Sequence, residues 1–312
     1  MSDRSRSVHA AHGVAGLCRY YTSIAAYIAW QRVRETSNTI RYRLARRDPL
    51  WVRLFTGRWI RLPLNDEGIG IELMSGIREP AATRYLQTFI RNDDVVLDIG
   101  ANIGYYVAVE RYAAPGAEIH AIEPVLANLR LLQENTPREV KVYPLALGDH
   151  AGTAPIYIPD RCNWATMNQE HARTLSGVHE AQVQVLTLDQ FCEQYGVVPT
   201  FLRMDTEGSE VEIIRGARGL IESSRPLKIM IELHGSARPP GEVEGLVRYL
   251  LDQGFVIREV VAEPNIDLGE AGTALMRQWY GLLWSSIPGT DLDRLAQMLR
   301  WRFCPNVFLE RA

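Results

Sequence analysis

Between residues 95 and 261, short apolar runs alternate with segments of helical periodicity, and this rhythm restricts the fold more than any other feature of the chain. Val95–Ile99, Ile119–Glu123, Val140–Leu147, Phe201–Asp205, Leu227–Leu233 and Phe255–Val261 read as strands, with Asn306–Glu310 as a seventh. Helices are expected from about Gly104, over Val125–Glu134, over Ser209–Ile221 and over Glu242–Asp252. Strands that alternate with helices build a parallel-rich sheet covered on both faces. Ile229-Met230-Ile231 lacks polar alternation, as a strand buried on both faces should. The expected fold is therefore α/β, with a seven-stranded Rossmann-like sheet and helices on both faces.

Upstream, residues 14–47 read as a helical arm that Asp48-Pro49 interrupts. Residues 50–75 alternate apolar and polar positions in pieces, which predicts short antiparallel strands turning near Asn65-Asp66-Glu67-Gly68. Residues 79–91 read as a helix with Pro80 in its first turn. The chain divides into a basic helical arm (1–48), a strand-rich linking region (49–78) and the α/β domain (79–312). Excursions at about 148–182 and 262–304 break the rhythm, and segments of that size are expected to be lids, substrate loops or subunit contacts.

Charge separates arm from body. Residues 1–61 carry twelve Arg, no Lys and three acids, a net +9, whereas the remainder carries −12. An anionic partner for the arm is one explanation, and an Arg bias spread along the whole chain is another. The composition, 46% hydrophobic and 23% charged, excludes a disordered chain, a fibre or a polytopic membrane protein. The apolar stretch Tyr20–Trp30 is shorter than the roughly 20 residues a bilayer requires. A helix lying on a membrane surface, or packed on its own domain or a second subunit, accommodates it. Cys18, Cys162, Cys192 and Cys304 show no metal-ligand spacing, so reduced thiols and a cytoplasmic location are expected.

The segment Asp98-Ile99-Gly100-Ala101-Asn102-Ile103-Gly104 leaves a buried strand and opens a helix. Gly100 permits a tight turn, Asn102 tolerates left-handed backbone, and Gly104 allows the helix start to pack closely against the strand. The next strand ends at Glu123, where a carboxylate can accept hydrogen bonds from both hydroxyls of a ribose. The glycine spacing differs from that of pyrophosphate loops, and Asp98 would repel a pyrophosphate. The pattern suits a ligand carrying an ammonium and a sulfonium, S-adenosylmethionine. Ala146 and Leu147, after the third strand, are expected against the adenine, and Asp149 reads as a turn acid.

These residues resemble the FkbM-type family of class I S-adenosylmethionine-dependent methyltransferases. The matching pieces are Val96–Gly104, Ile122-Glu123-Pro124, Thr187-Leu188-Asp189, Phe201–Glu210 and Glu232-Leu233-His234. Met204 and Thr206 stand where such chains more often carry aliphatic residues. The resemblance covers about residues 79–262 and the final strand. It implies methyl transfer to a hydroxyl of a sugar, glycolipid or secondary metabolite.

Ligands of open α/β sheets bind beyond the carboxyl ends of the strands. Asp98, Asp205, Glu207, Glu232 and His234 should gather there. A hydroxyl is a poor nucleophile, so His234 is the first base candidate, Asp205 the second, with Glu232 completing the catalytic set. Alternatively, Asp205, Glu207, Glu232 and His234 could hold a divalent cation such as Mg²⁺, Ca²⁺ or Mn²⁺. Glu207 and Glu210 also read as partners of a helix dipole. Trp164, beside Asn163 in the first excursion, could stack on a sugar or anchor a lid. A nicotinamide enzyme is disfavoured, because Lys141 and Lys228 are the only lysines and no Tyr-x-x-x-Lys pair exists. A non-catalytic assembly subunit and a nucleic-acid methyltransferase are the remaining alternatives, and a homo-oligomer is compatible with the sequence.

Overall fold

The computed structural model describes residues 33, 36–45, 49–64, 66–160, 164–223, 225–239, 241–261 and 304–312. Tyr20–Trp30, most of the expected arm, Asn163 and nearly all of the second excursion lie outside them.

The elements in chain order are α1 (36–44), β1 (Leu50–Arg53), β2 (Trp59–Leu62), α2 (Glu67–Leu73), α3 (Pro80–Phe89), β3 (Val95–Ile99), α4 (Tyr105–Ala113), β4 (Glu118–Ile122), α5 (Leu126–Asn135), β5 (Lys141–Tyr143), β6 (Ala146–Gly148) and β7 (Gly152–Ile158). They continue as α6 (Gln169–Ala172), β8 (His179–Thr187), α7 (Leu188–Tyr195), β9 (Phe201–Met204), α8 (Glu210–Arg215), α9 (Arg218–Glu222), β10 (Leu227–Glu232), α10 (Glu242–Asp252), β11 (Val256–Val261) and β12 (Asn306–Arg311).

The central sheet has seven strands in the order β11-β12-β10-β9-β3-β4-β5. Pairing is parallel from β10 through β9, β3 and β4 to β5, and β12 runs antiparallel between β10 and β11. This is the seven-stranded, parallel-rich α/β sheet that the strand rhythm led one to expect. Apolar clusters pack on each face of the sheet. One of them runs from Val96 and Phe201 out to Leu50, Ile60 and Leu73, so the linking region shares its core with the α/β domain. Strand order switches direction between β3 and β9, and a crevice opens there at the carboxyl ends.

The structure departs from the sequence reading in four places. The hairpin β1–β2 forms as expected, but residues 67–73 are helical rather than extended. Asp66, read as part of a turn, instead caps α2 by accepting a bond from the Gly68 N–H at 2.9 Å. Ile69 and Leu73 then share the buried face at helical spacing, and the absent Gly70 side chain leaves room for the Tyr42 ring.

The third strand is split. Pro144 interrupts the ladder, so β5 stays in the central sheet while β6 joins a separate sheet ordered β6-β8-β7. The first excursion, expected to be irregular, is largely this sheet, with β7 and β8 paired antiparallel.

The helix expected over Ser209–Ile221 breaks into α8 and α9. Asp189 replaces one rung of the helical ladder at both ends. Its N–H donates to the Gly216 carbonyl at 3.1 Å, and its Oδ1 accepts from the Leu220 N–H at 2.9 Å. Among the described residues, no helix is long and apolar enough to cross a membrane.

Candidate functional site

The β3–α4 loop is built from three left-handed residues, Gly100 (φ 79°), Asn102 (φ 51°) and Gly104 (φ 91°). A Cβ on Gly100 would collide with the carbonyl oxygen of Asp205, so the close approach of the β3 and β9 loops requires glycine. Asn102 stabilises its own strained turn by accepting the Ile103 N–H at 2.7 Å. Gly104 has a different neighbour from the one expected. The space its side chain would take is filled by Leu132 of α5 and by Thr136 just beyond that helix, rather than by the strand.

Glu123 closes the loop from the tip of β4. Its Oε2 accepts the Asn102 N–H at 2.9 Å and its Oε1 accepts the Val125 N–H at 2.8 Å. Burial pushes its carboxyl up to about 7 against those hydrogen bonds. Glu123 and Gly100 line a cleft that opens at the carboxyl ends of the strands. Ala146, Leu147, Ile122, Ile156 and Met167 make its apolar walls, and Asp205, Thr206 and Glu207 one polar edge. Thr166 donates to the Glu207 carbonyl at 2.7 Å and ties the first excursion to that edge. Asp149, by contrast, meets His150 at the surface, as a turn acid would.

Asp98 is fully buried and stands outside the cleft lining. Its Oδ1 lies 3.1 Å from Arg203 Nη1, while Arg203 Nη2 reaches Asp205 Oδ2 at 2.8 Å. The same guanidinium lies over the Tyr106 ring, 4.2 Å from its centroid, and donates to the Gly100 carbonyl at 3.1 Å. The expectation that Asp98 presents bare negative charge to a ligand is thus corrected: Arg203 offsets it. Burial raises the Asp98 carboxyl above its ordinary value, with Arg203 opposing. Asp205 differs: burial would raise it, but Arg203 and Arg78 bring it below the ordinary range.

The expected acid–imidazole cluster is present. His234 Nε2 lies 3.4 Å from Glu207 Oε2, 3.9 Å from Asp205 Oδ1 and 4.0 Å from Glu232 Oε1. Its Nδ1 donates to Glu210 Oε1 at 2.9 Å. That oxygen also accepts the Thr206 and Gly208 N–H groups at 3.2 Å. Glu210 therefore orients the imidazole, a role beyond that of a helix-dipole partner. Burial works against a charged imidazole, yet Glu207 and Glu210 raise His234 well above its ordinary value. The neighbouring carboxylates thus favour the charged form of the imidazole, where the sequence suggested titration near neutrality. Glu207 is raised by burial to about 7, and Glu232 is raised well above its ordinary value by burial and by Asp205.

The four groups expected to hold one cation do not converge as a single set. Two triads share His234, one with Asp205 and Glu207, the other with Glu232 and Cys304. Cys304 was not among the expected site residues; burial pushes its thiol up to about 12. Arg78 was missed as well. It meets Glu72 at 3.0 Å, Glu79 at 2.9 Å and Asp205 at 3.7 Å, so the expected domain boundary at 78/79 falls inside this network. One signal was legible for Arg203: an arginine in an otherwise apolar strand requires a buried acidic partner. Trp164, 38% exposed, lies on the surface of the first excursion.

A profile of the FkbM methyltransferase domain matches residues 98–257. The chain is 28% identical over 149 residues to Methyltransferase 1 of Beauveria bassiana, covering 40% of this chain and 59% of that protein. It is 27% identical over 206 residues to the 31-O-demethyl-FK506 methyltransferase FkbM of Streptomyces tacrolimicus, covering 56% and 76%. It is 27% identical over 204 residues to the hexuronic acid methyltransferase AglP of Haloferax volcanii, covering 61% and 81%. The chain thus spans about three fifths of the Beauveria protein's length. With half of its residues matching that domain around the β3 loop, Glu123 and the β9 turn, the chain belongs to the FkbM methyltransferase family.

Proposed function

We propose that the chain is an S-adenosylmethionine-dependent O-methyltransferase acting on a hydroxyl of a sugar, glycolipid or secondary metabolite. The observation that carries this reading is the cleft at the β3/β9 switch, with Glu123 on one side and Asp205 and Glu207 on the other. S-adenosylmethionine, when bound, supplies an electrophilic methyl group. Glu123 would accept the ribose hydroxyls, Ala146 and Leu147 would pack on the adenine, and Gly100 would let the loop approach the ligand. Asp98, Asn102 and Gly104 hold that loop in shape from behind.

Asp205 is the ionised carboxylate on the cleft lining and takes the acceptor's proton. His234 and Glu232 act from behind it and set the field in which that proton moves. Two relatives, named as a 31-O-demethyl-FK506 methyltransferase and a hexuronic acid methyltransferase, support a secondary-metabolite or sugar acceptor. Calorimetric titration with S-adenosylhomocysteine and then NAD⁺ tests the reading. Micromolar binding of the first alone supports it; no binding of the first by the folded chain favours a non-catalytic assembly subunit.

The reading extends to a cytoplasmic enzyme in contact with an anionic membrane surface. The outward face of the β1–β2 hairpin pairs Trp51 with Arg61 and Arg53 with Trp59. Indole and guanidinium groups on one exposed face suit a lipid–water boundary. Trp51→Ala/Trp59→Ala should float less than the parent chain with phosphatidylglycerol vesicles. Equal flotation, or equal flotation after deletion of residues 1–47, would argue against the hairpin or the arm, respectively.

A further inference from the structure

We propose that Glu232, His234 and Cys304 form a binding site for one divalent cation of the zinc class. The three offer an imidazole nitrogen, a carboxylate oxygen and a sulfur whose positions all lie within 4.8 Å of one another. A tetrahedral ion with bonds of about 2.0–2.3 Å separates its ligands by about 3.3–3.8 Å, so a modest inward shift of side chains completes the site. The donors come from three separate places: the end of β10, the residue two positions beyond it, and the approach to β12.

Two further observations point to a ligand. Glu232 is 8% exposed, and among the described residues its Oε2 has no hydrogen-bond partner. A buried carboxylate oxygen with nothing to accept from is costly, and a cation satisfies it. His234, for its part, is held in the manner of a metal-bound imidazole. Its Nδ1 donates to Glu210, which is anchored by the Thr206 and Gly208 N–H groups, and Nε2 faces the acidic groups. A carboxylate behind the distal nitrogen is the usual way to orient such a ligand.

The donor set also selects the ion. Mg²⁺ and Ca²⁺, expected from the carboxylates alone, favour all-oxygen shells, whereas sulfur and imidazole together favour Zn²⁺ or Co²⁺. Three protein ligands leave a fourth position for water or another oxygen. The site stands whether or not the chain transfers methyl groups.

Co²⁺ added to the full chain after chelator treatment is the test. We expect one equivalent to bind, with visible ligand-field bands and a near-ultraviolet thiolate-to-cobalt band, and Zn²⁺ to abolish both. Cys304→Ser should lose the near-ultraviolet band and keep weaker visible bands. Glu210→Gln should keep both bands and bind about 10–100-fold more weakly. Absence of cobalt bands at millimolar Co²⁺, or an unchanged near-ultraviolet band in Cys304→Ser, would overturn the proposal. Titration of the same metal-free chain with S-adenosylhomocysteine separates its failure from that of the methyltransferase reading.

Discussion

Arg203 and Asp98 are 105 residues apart in the chain, and their side chains meet at 3.1 Å in the buried seam between the first and fourth strands of the parallel sheet. The same guanidinium spans to Asp205 and holds both strand tips in register beneath the cleft. Removing it leaves the buried Asp98 and the half-buried Asp205 without their shared counter-charge.

Arg203→Met should therefore destabilise the chain by about 3–5 kcal/mol, measured by urea denaturation. Adding Asp98→Asn should recover part of that loss, because the uncompensated acid is removed with its partner. An Arg203→Met chain as stable as the parent would show that the pair contributes nothing.

Glu123 should give stability a distinctive pH dependence. Burial raises its carboxyl from 4.5 to about 7, so between those values the folded chain binds more protons than the unfolded one. Its contribution to stability is present below about pH 4.5 and is lost as pH rises through 7. Glu123→Gln cannot ionise. Its stability relative to the parent should rise by about 3 kcal/mol from pH 4.5 to 7.5. A difference that stays flat across that range would exclude a raised carboxyl.

Ligand binding and turnover should separate by residue. Glu123→Ala should weaken S-adenosylhomocysteine binding by about 10–100-fold, the worth of charged hydrogen bonds to the ribose. His234→Ala should leave that affinity within about threefold and reduce kcat by about 10²–10⁴. Full turnover by His234→Ala would remove His234 from the reaction.

Gly100→Ala should lose both stability and ligand binding. The methyl would meet the Asp205 carbonyl from a backbone at φ 79°, and strain there should cost about 1–3 kcal/mol or more. The substitution should abolish S-adenosylhomocysteine binding in chains that remain folded by circular dichroism. Normal affinity would mean that the two loops have room to part.

Much of this molecule could be read from neighbouring residues. Period-two and period-3.6 patterns located the central strands and most helices, since which face is buried is written into short stretches of chain. Gly100, Asn102 and Glu123 were legible because left-handed backbone and a strand-tip acid are local requirements. Residues 67–73 were misread because Ile69, Ile71 and Leu73 also fit an extended strand; the Asp66 cap and the Tyr42 ring against Gly70 decided for helix. The split at Pro144 was visible as a proline but not as a change of sheet.

Sequence alone determined the fold class, the loop that opens the cleft and the family resemblance, because these rest on contacts a few residues apart or on contiguous motifs. Tertiary structure decided the electrostatics. Arg203 neutralises Asp98, Glu210 turns His234, and Cys304 arrives beside Glu232 only through the strand order that lays β12 against β10. The reason is physical: charge state and ligation depend on distance and burial between residues far apart in the chain, and local pattern carries neither.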